Sequence, residues 1–401
     1  MINIVNKVDC CGCSACKNIC PKNCIEMIAD KEGFLYPSVD KKKCVNCRLC
    51  ETACPILHYE VEKENKAQLG AIVVSRDETV LAQSTSGGAF TAIAEYVISC
   101  GGYVYGVEMN SDFFVHHIEV SDVMNLVKFR NSKYVQSDIG SIYKMVESRL
   151  KSGVLVCFSG TPCQIEGLRH FLRKDYENLI LVDVVCRAVP SPGVWNRYIH
   201  YIQEKYGSLS NVRFRDKDLG YQYSTMKIQS SDGKILRNGI ESDQWLRMFF
   251  SGMIIRPSCT DCKFRRMYRN SDITIWDCFN VSDLSKNFDE TKGATRMLIH
   301  SEKGKMVFDS IANKYHYEMM SPDMLVRGLT ELSKSPQEHA LKKQFFEDYH
   351  VLSMEELLNK YFANTLSVKI KKNARLFLNK LGIDKVVKKM KRKLSRSVYS
   401  R

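Results

Sequence analysis

From residue 69 onward, short apolar runs alternate with stretches of helical periodicity. Leu69 to Val74 is a continuous apolar run that predicts a buried strand. Gly88 to Ser99 follows with apolar residues at Phe90, Ile93, Ala94, Val97 and Ile98, the spacing of a helix. A second strand is expected at Tyr103–Val107 after the Gly101-Gly102 turn, a helix over Ile139–Lys151 and a strand over Val154–Phe158. Pro162–Lys174 then reads as helix and Leu179–Val185 as strand. Strands alternating with helices predict an α/β domain with a mostly parallel sheet. From Val212 to Arg237 the pattern becomes more alternating, which suits an antiparallel hairpin turning at Asp232-Gly233.

The first sixty residues show neither pattern and are dominated by cysteine. Cys10, Cys13, Cys16 and Cys20 form C-x2-C-x2-C-x3-C, closed by Pro21, and Cys44, Cys47, Cys50 and Cys54 repeat it, closed by Pro55. Three closely spaced thiolates suit three corners of one cubane, while the fourth reaches the other cubane. The expectation is one 4Fe-4S cluster on Cys10, Cys13, Cys16 and Cys54, and a second on Cys44, Cys47, Cys50 and Cys20. A zinc ribbon or a disulfide framework is the alternative, but a ribbon needs two C-x2-C pairs rather than two four-cysteine runs ending in Pro. The segment resembles a bacterial-type two-cluster ferredoxin module of α+β type, including the Gly33-Phe34-Leu35-Tyr36-Pro37 hairpin between the runs. Cys11 and Cys24 stand outside the pattern and read as spare thiols.

Composition adds compartment and location. The chain has 401 residues, 44% of them hydrophobic, enough for one large core beside the small module. Seventeen cysteines with no export signal point to reduced thiols and metal ligands, hence to the cytoplasm. No apolar run reaches the roughly 18–20 residues that span a bilayer. The net charge of +14 is concentrated: Ser367 to Arg401 holds thirteen Lys/Arg against the single acid Asp384. In that tail Ile370, Ala374, Phe377, Leu378 and Leu381 recur at helical spacing, as do Ile383, Val386, Val387, Met390 and Leu394. A basic amphipathic helix suits the inner face of an anionic membrane, or an acidic partner such as an electron carrier; a solvated tail is the plain alternative. Nothing else suggests nucleic acid. The expected domains are 1–60 for the cluster module, 66–345 for the α/β domain and 346–401 for the tail, with a polar linker over Glu60–Lys66.

Three stretches of the α/β domain carry candidate chemistry. Ser84-Thr85-Ser86-Gly87-Gly88-Ala89-Phe90-Thr91 opens a helix with hydroxyls and glycines, a cradle for an anion or an ordinary capped turn. Arg130 to Asp138 is dense in side chains that bond phosphates and ring edges, or is a solvated loop. Ser159-Gly160-Thr161-Pro162-Cys163-Gln164 joins a strand to a helix, which puts Cys163 where the helix dipole favours a thiolate. Cys186 ends the next strand, so both cysteines are expected at the carboxyl edge of the sheet. Cys259 and Cys262 form a further C-x2-C pair after Arg256-Pro257. A third cluster on Cys163, Cys186, Cys259 and Cys262 is expected. Cys278, after the apolar Ile273-Thr274-Ile275, is a possible replacement ligand. Two buried thiols beside a zinc pair are the alternative. Cys100 and Cys157 read as buried small hydrophobes.

Taken together, the Ser-Gly-Gly loop, Ser132 to Asp138, Ser159 to Gln164 and the Cys259/Cys262 pair resemble the coenzyme F420 hydrogenase/dehydrogenase beta-subunit family, from about Val8 to about Phe308. The resemblance implies an oxidoreductase with FAD, 4Fe-4S clusters and a two-electron partner that is a small molecule or a carrier. It implies FAD contacts at Ser84, Ser86, Gly87, Gly88, Thr91, Lys133, Tyr134, Gln136, Ser137 and Thr161. The chain departs from the family pattern at Arg187-Ala188, where His-Gly is usual, and at Trp276-Asp277-Cys278-Phe279-Asn280, where a Gly-Asp-Phe-Trp-Gly-like run is usual. Arg187 is expected to hold an anionic substrate, to stabilise a reduced flavin, or to form a plain salt bridge. The alternatives to an independent enzyme are an electron-transfer subunit of a larger redox complex and a membrane-associated reductase in envelope polysaccharide biosynthesis.

Overall fold

A computed structural model describes residues 1–59, 68–279 and 281–382. The expected linker, Asn280 and the tail beyond residue 382 lie outside the described residues. The cluster module holds a hairpin of β1 (Ile25–Ala29) and β2 (Leu35–Val39), flanked by the short helices Ala15–Ile19 and Leu49–Thr52. Each helix lies within one cysteine run and carries its third cysteine, and the backbone repeats with the sequence. Gly12 and Asn46 take φ of +70° and +52°, and Ser14 and Arg48 both take +61°.

The main sheet is built from β3 (Leu69–Ser75), β4 (Tyr103–Met109), β5 (Val115–Val120), β6 (Val156–Gly160) and β7 (Leu179–Val184). After these come β8 (Leu209–Asp216), β9 (Thr225–Ser230) and β10 (Ile235–Asn238), a separate antiparallel sheet with the expected turn at Asp232-Gly233. Finally β11 (Ile273–Asp277), β12 (Thr295–Ile299) and β13 (Tyr315–Met320) return to the main sheet. Its order is β13-β3-β12-β11-β7-β6-β4-β5. The centre, β4, β6, β7 and β11, is parallel, as the alternation predicts. The flanks are antiparallel: β5 on one side, and β12, β3 and β13 on the other. These return strands carry mixed patterns such as Val115-His116-His117-Ile118-Glu119-Val120, which a search for continuous apolar runs passes over.

One face of the sheet buries Val73, Ile93, Val97, Val104, Ile180 and Met297. The other buries Tyr105, Tyr143, Val156, Phe158 and Leu181 together with Cys11, Cys13 and Ala15 of the cluster module. The module is thus part of the protein's core packing. A further apolar cluster around Trp195 and Trp245 is closed by Phe345, Phe346, Leu357, Leu358 and Phe362. The compact part therefore runs through the helices Lys342–Tyr349 and Met354–Phe362, past the expected boundary at 346. Of the tail, the described part is the helix Leu366–Lys380. No described helix is long and apolar enough to cross a membrane. Cys157 is buried in β6 as expected, whereas Cys100, which follows its helix's last turn, is exposed.

Candidate redox site

Three cavities carry the candidate chemistry. The first lies in the module and is lined by Cys20, Cys44, Cys47 and Cys50, with Cys24 and Pro21 beside them. These four are the thiols the spacing groups together through the exchanged fourth ligand. In the other set, Cys10 lies near enough to Cys16 and Cys54 to contribute to raising both thiols. Burial first, then Cys10 and Cys54, pushes the Cys16 thiol well up. Burial and the nearby Cys10 and Cys50 also raise Cys54. Cys24 is not isolated, since its Sγ lies 3.4 Å from that of Cys20.

The second cavity is lined by Cys163, Cys186, Cys259 and Cys262. Cys163 leaves β6 in the first turn of the helix Pro162–Leu172, with Pro162 at its start and the Gln164 Oε1 accepting the Thr161 N–H at 3.0 Å. Cys186 follows β7 as its neighbour on the sheet. The pair Cys259/Cys262 arrives on a short turn after Pro257. Cys11 also lines this cavity, so the thiol read as spare faces the core set. The helix dipole does not set the acidity of Cys163: contact with Cys11 and burial push its thiol well above the ordinary value. Burial likewise raises Cys186 and takes Cys259 to about 12. Such thiols shed protons when a metal replaces them, and thiolate ligation suits iron–sulfur or zinc. Cys278 is elsewhere. Its N–H continues the pairing with β12 by donating to the Ala294 carbonyl at 2.9 Å, and its side chain packs among Ile72, Val281 and Leu298.

The third cavity, of about 380 Å³, opens at the carboxyl edge of the parallel strands. Its lining includes Ser84, Ser86, Gly88, Thr91, Lys133, Tyr134, Ser137 and Thr161, eight of the ten positions expected there. Gly87 instead packs beneath the loop, its N–H donating to the Thr295 hydroxyl at 2.9 Å; a Cβ would meet the Val73 carbonyl at 2.4 Å. Gln136 points away, toward the module, where its Nε2 donates to the Cys11 carbonyl at 3.1 Å. Strand-like alternation separates it from Val135 and Ser137, which do line the cavity.

The apolar wall of Ala94, Leu126, Phe129, Val184 and Trp276, facing the hydroxyl loop and the cations Arg130 and Lys133, suits a flat ring joined to an anion. Two buried donors in the lining, Trp276 Nε1 and Arg130 Nε, have no hydrogen-bond partner among the described residues and are free to meet a ligand. Arg130 opens the stretch read from the sequence as rich in phosphate-bonding side chains, whereas Trp276 was noted only as a departure from the family pattern. Loss of water around Lys133 lowers its ammonium to about 7. Arg187 forms the plain ion pair, with Glu331 at 3.7 Å, and donates to the Phe250 carbonyl at 3.3 Å. It nevertheless stands where the second and third cavities meet: Cys186, Arg187, Ala188 and Val189 line both.

Comparison with known proteins agrees with this division. Residues 9–56 match the model of a 4Fe-4S dicluster domain. Residues 154–324 match the model for the C terminus of the coenzyme F420 hydrogenase/dehydrogenase beta subunit. Over that span the chain is similar to this family. The F420 hydrogenase/dehydrogenase segment begins just before β6 and takes in β7, β11, β12 and all four cysteines of the second cavity. Among solved structures, a chain of the F420-reducing NiFe hydrogenase complex from Methanosarcina barkeri is 14% identical, with a TM-score of 0.42. That match covers 77% of this chain and 97% of the other. No curated protein sequence matches. The chain thus joins a segment similar to 4Fe-4S dicluster domains to one similar to the C terminus of the hydrogenase/dehydrogenase beta subunit, and the two share one apolar core.

Proposed function

We propose that the chain is an iron–sulfur flavoprotein oxidoreductase that exchanges electrons with an organic two-electron substrate or carrier. The observation that carries this reading is the shared wall. The segment Cys186–Val189 borders both the four-thiol cavity and the large cavity, so a cluster in one would lie a strand end away from a flavin in the other. The clusters would supply one-electron steps, and the flavin the conversion between one and two electrons. Cys163, Cys186, Cys259 and Cys262 would hold the core cluster. The Ser84–Thr91 loop and the start of the helix Ala89–Ser99 would seat anionic oxygens, with Lys133 and Arg130 as counter-charges. The apolar wall would exclude water from the ring. Anaerobic purification of the full chain, with flavin extraction and iron and sulfide counts, tests it. The expected result is one FAD and about twelve irons, three cubanes' worth. About eight irons and no flavin would reduce the protein to its dicluster domain and overturn the reading. Electron-carrier or subunit partners belong to the same reading, since the module's Cys47 is exposed where a partner can approach.

The described part of the tail supports a peripheral position on an anionic bilayer. The helix Leu366–Lys380 is anchored on one side: Arg375 meets Glu241 at 2.6 Å, and Asn379 donates to the Leu219 carbonyl at 2.9 Å. Leu366, Ile370, Phe377 and the following Leu381 are exposed together on the opposite side. Lysines flank this stripe, and the sequence beyond it is strongly basic, which matches anionic lipid in charge. Full-length protein should sediment with phosphatidylglycerol vesicles at low salt, and an Ile370→Glu/Phe377→Glu variant should not. Equal sedimentation of the two would remove the membrane role.

A further inference from the structure

Arg256 is fully buried, and among the described residues no carboxylate pairs with it. Its guanidinium donates to the carbonyls of Cys10 (2.8 Å) and Leu35 (3.0 Å), to Gln136 Oε1 (3.0 Å) and toward Cys10 Sγ (3.6 Å). It stacks between the module's rings, 4.3 Å from the Tyr36 centroid and 5.5 Å from that of Phe34. Gly12 is required for this approach, because a Cβ there would meet Arg256 Nη1 at 2.7 Å. The backbone of the same residue is bonded to two residues that line the second cavity: its carbonyl accepts the Cys259 N–H at 3.0 Å, and its N–H donates to the Val189 carbonyl at 2.9 Å. One residue therefore has its main chain on the core thiols and its charge on the nearer module thiols.

A buried cation needs a compensating anion, and neutral acceptors alone leave its charge unbalanced. A cubane with four thiolate ligands is such an anion, and it gains a further negative charge on reduction. The potential of such a cluster follows local charge and hydrogen bonds to sulfur. We infer that Arg256 is a positioning residue that raises the reduction potential of the module cluster on Cys10, Cys13, Cys16 and Cys54. It thereby makes that cluster, rather than the one at Cys20, Cys44, Cys47 and Cys50, the site in the module where an electron preferentially resides, next to the core. The inference rests on the ligand sets proposed above, and the iron count of the parent protein tests those separately.

The test is a mediated dithionite titration of the full-length, anaerobically reconstituted protein, followed by electron paramagnetic resonance. A Cys47→Ser change identifies the signal of the distal cluster. Arg256→Gln removes the charge and should move the midpoint of the cluster at Cys10 to a more negative potential, leaving the distal cluster unmoved. Arg256→Lys keeps the charge and should recover part of the shift. Gln136→Glu leaves Arg256 in place and sets a carboxylate against it, and it should give a shift of the same sign. If Arg256→Gln loses iron, the Lys and Gln136→Glu variants decide. Unchanged potentials, or equal shifts in both module clusters, overturn the inference, since a mere staple would lower stability without a selective change in potential.

Discussion

The module's thiol cavity and the core's thiol cavity hold the same kind of side chain but are encoded at different ranges. In the module, three of the four lining cysteines lie within seven residues, and the backbone turns that gather them recur in both runs at Gly12/Asn46 and Ser14/Arg48. In the core, Cys163 and Cys186 come from the ends of adjacent parallel strands, and Cys259 and Cys262 from a turn some seventy residues later. The first arrangement is a property of a loop and survives wherever the loop folds. The second exists only when β6, β7 and the turn after Pro257 are packed together. A ligand in the core cavity is therefore coupled to the folding of the domain, and one in the module to the folding of two loops.

The strongest way to break the comparison is to remove one ligand from each cavity in the full chain. Cys259→Ser should cost about four irons and leave the module's clusters; Cys47→Ser should cost about four from the module and leave the core. The core variant should also lower the unfolding temperature of the α/β domain, and the module variant should do so much less. Iron counts with calorimetry check both halves. Loss of all iron from either variant would mean that the two cavities are one cooperative unit.

The seam between them offers the next largest effect. Gly33 (φ +78°) lies so close to Gly193 that a Cβ would stand 2.6 Å from the Gly193 Cα. The Gly193 N–H donates to the Gly33 carbonyl at 3.2 Å. Gly33→Ala incurs the left-handed penalty of about 1–2 kcal/mol before any clash with backbone. It should destabilise the full chain by at least that much in chemical denaturation, and should speed proteolysis in the module first. No change in stability would mean that the module and core do not meet there in solution.

Legibility followed the same division. The module's eight candidate cysteines were readable as two groups because spacing along the chain gathers them. The core strands of the parallel centre were readable because burial on both faces makes them continuous apolar runs. The return strands β5, β12 and β13 were not, since each is antiparallel and mixes polar with apolar positions. Around the large cavity, the loop from Ser84 to Thr91 was legible as a candidate, while Gln136 was assigned to the wrong side. One residue of register decides which way a strand-like segment points. Cys278, left open as a replacement ligand, lies away from the core cavity for a related reason: a strand end gives an edge position only if the chain leaves its partner there. Arg256 and Cys11 had no signal of their own, because their roles depend on two segments that meet only in the folded chain.

The smallest effect concerns Lys133, whose chemistry is also a product of burial and not of spacing. Its Nζ donates to the carbonyls of Lys128 (2.7 Å) and Arg130 (2.9 Å), and loss of water lowers its ammonium to about 7, with Glu108 opposing and Arg213 adding to the fall. At pH 9 the side chain in the cavity is thus largely a neutral amine. An anionic ligand beside it favours the protonated form, so binding takes up a proton between pH 7 and the higher value reached in the complex. Affinity for an anionic flavin should therefore rise as pH falls from 9 toward 7 and level off below 7. The slope can reach at most about tenfold per pH unit for one proton. Fluorescence titration of the flavin-stripped protein with FAD across that range measures it. Lys133→Met should bind more weakly at pH 7 and show a flat profile, converging with the parent near pH 9. A flat profile in the parent would mean that the ammonium does not face the anion.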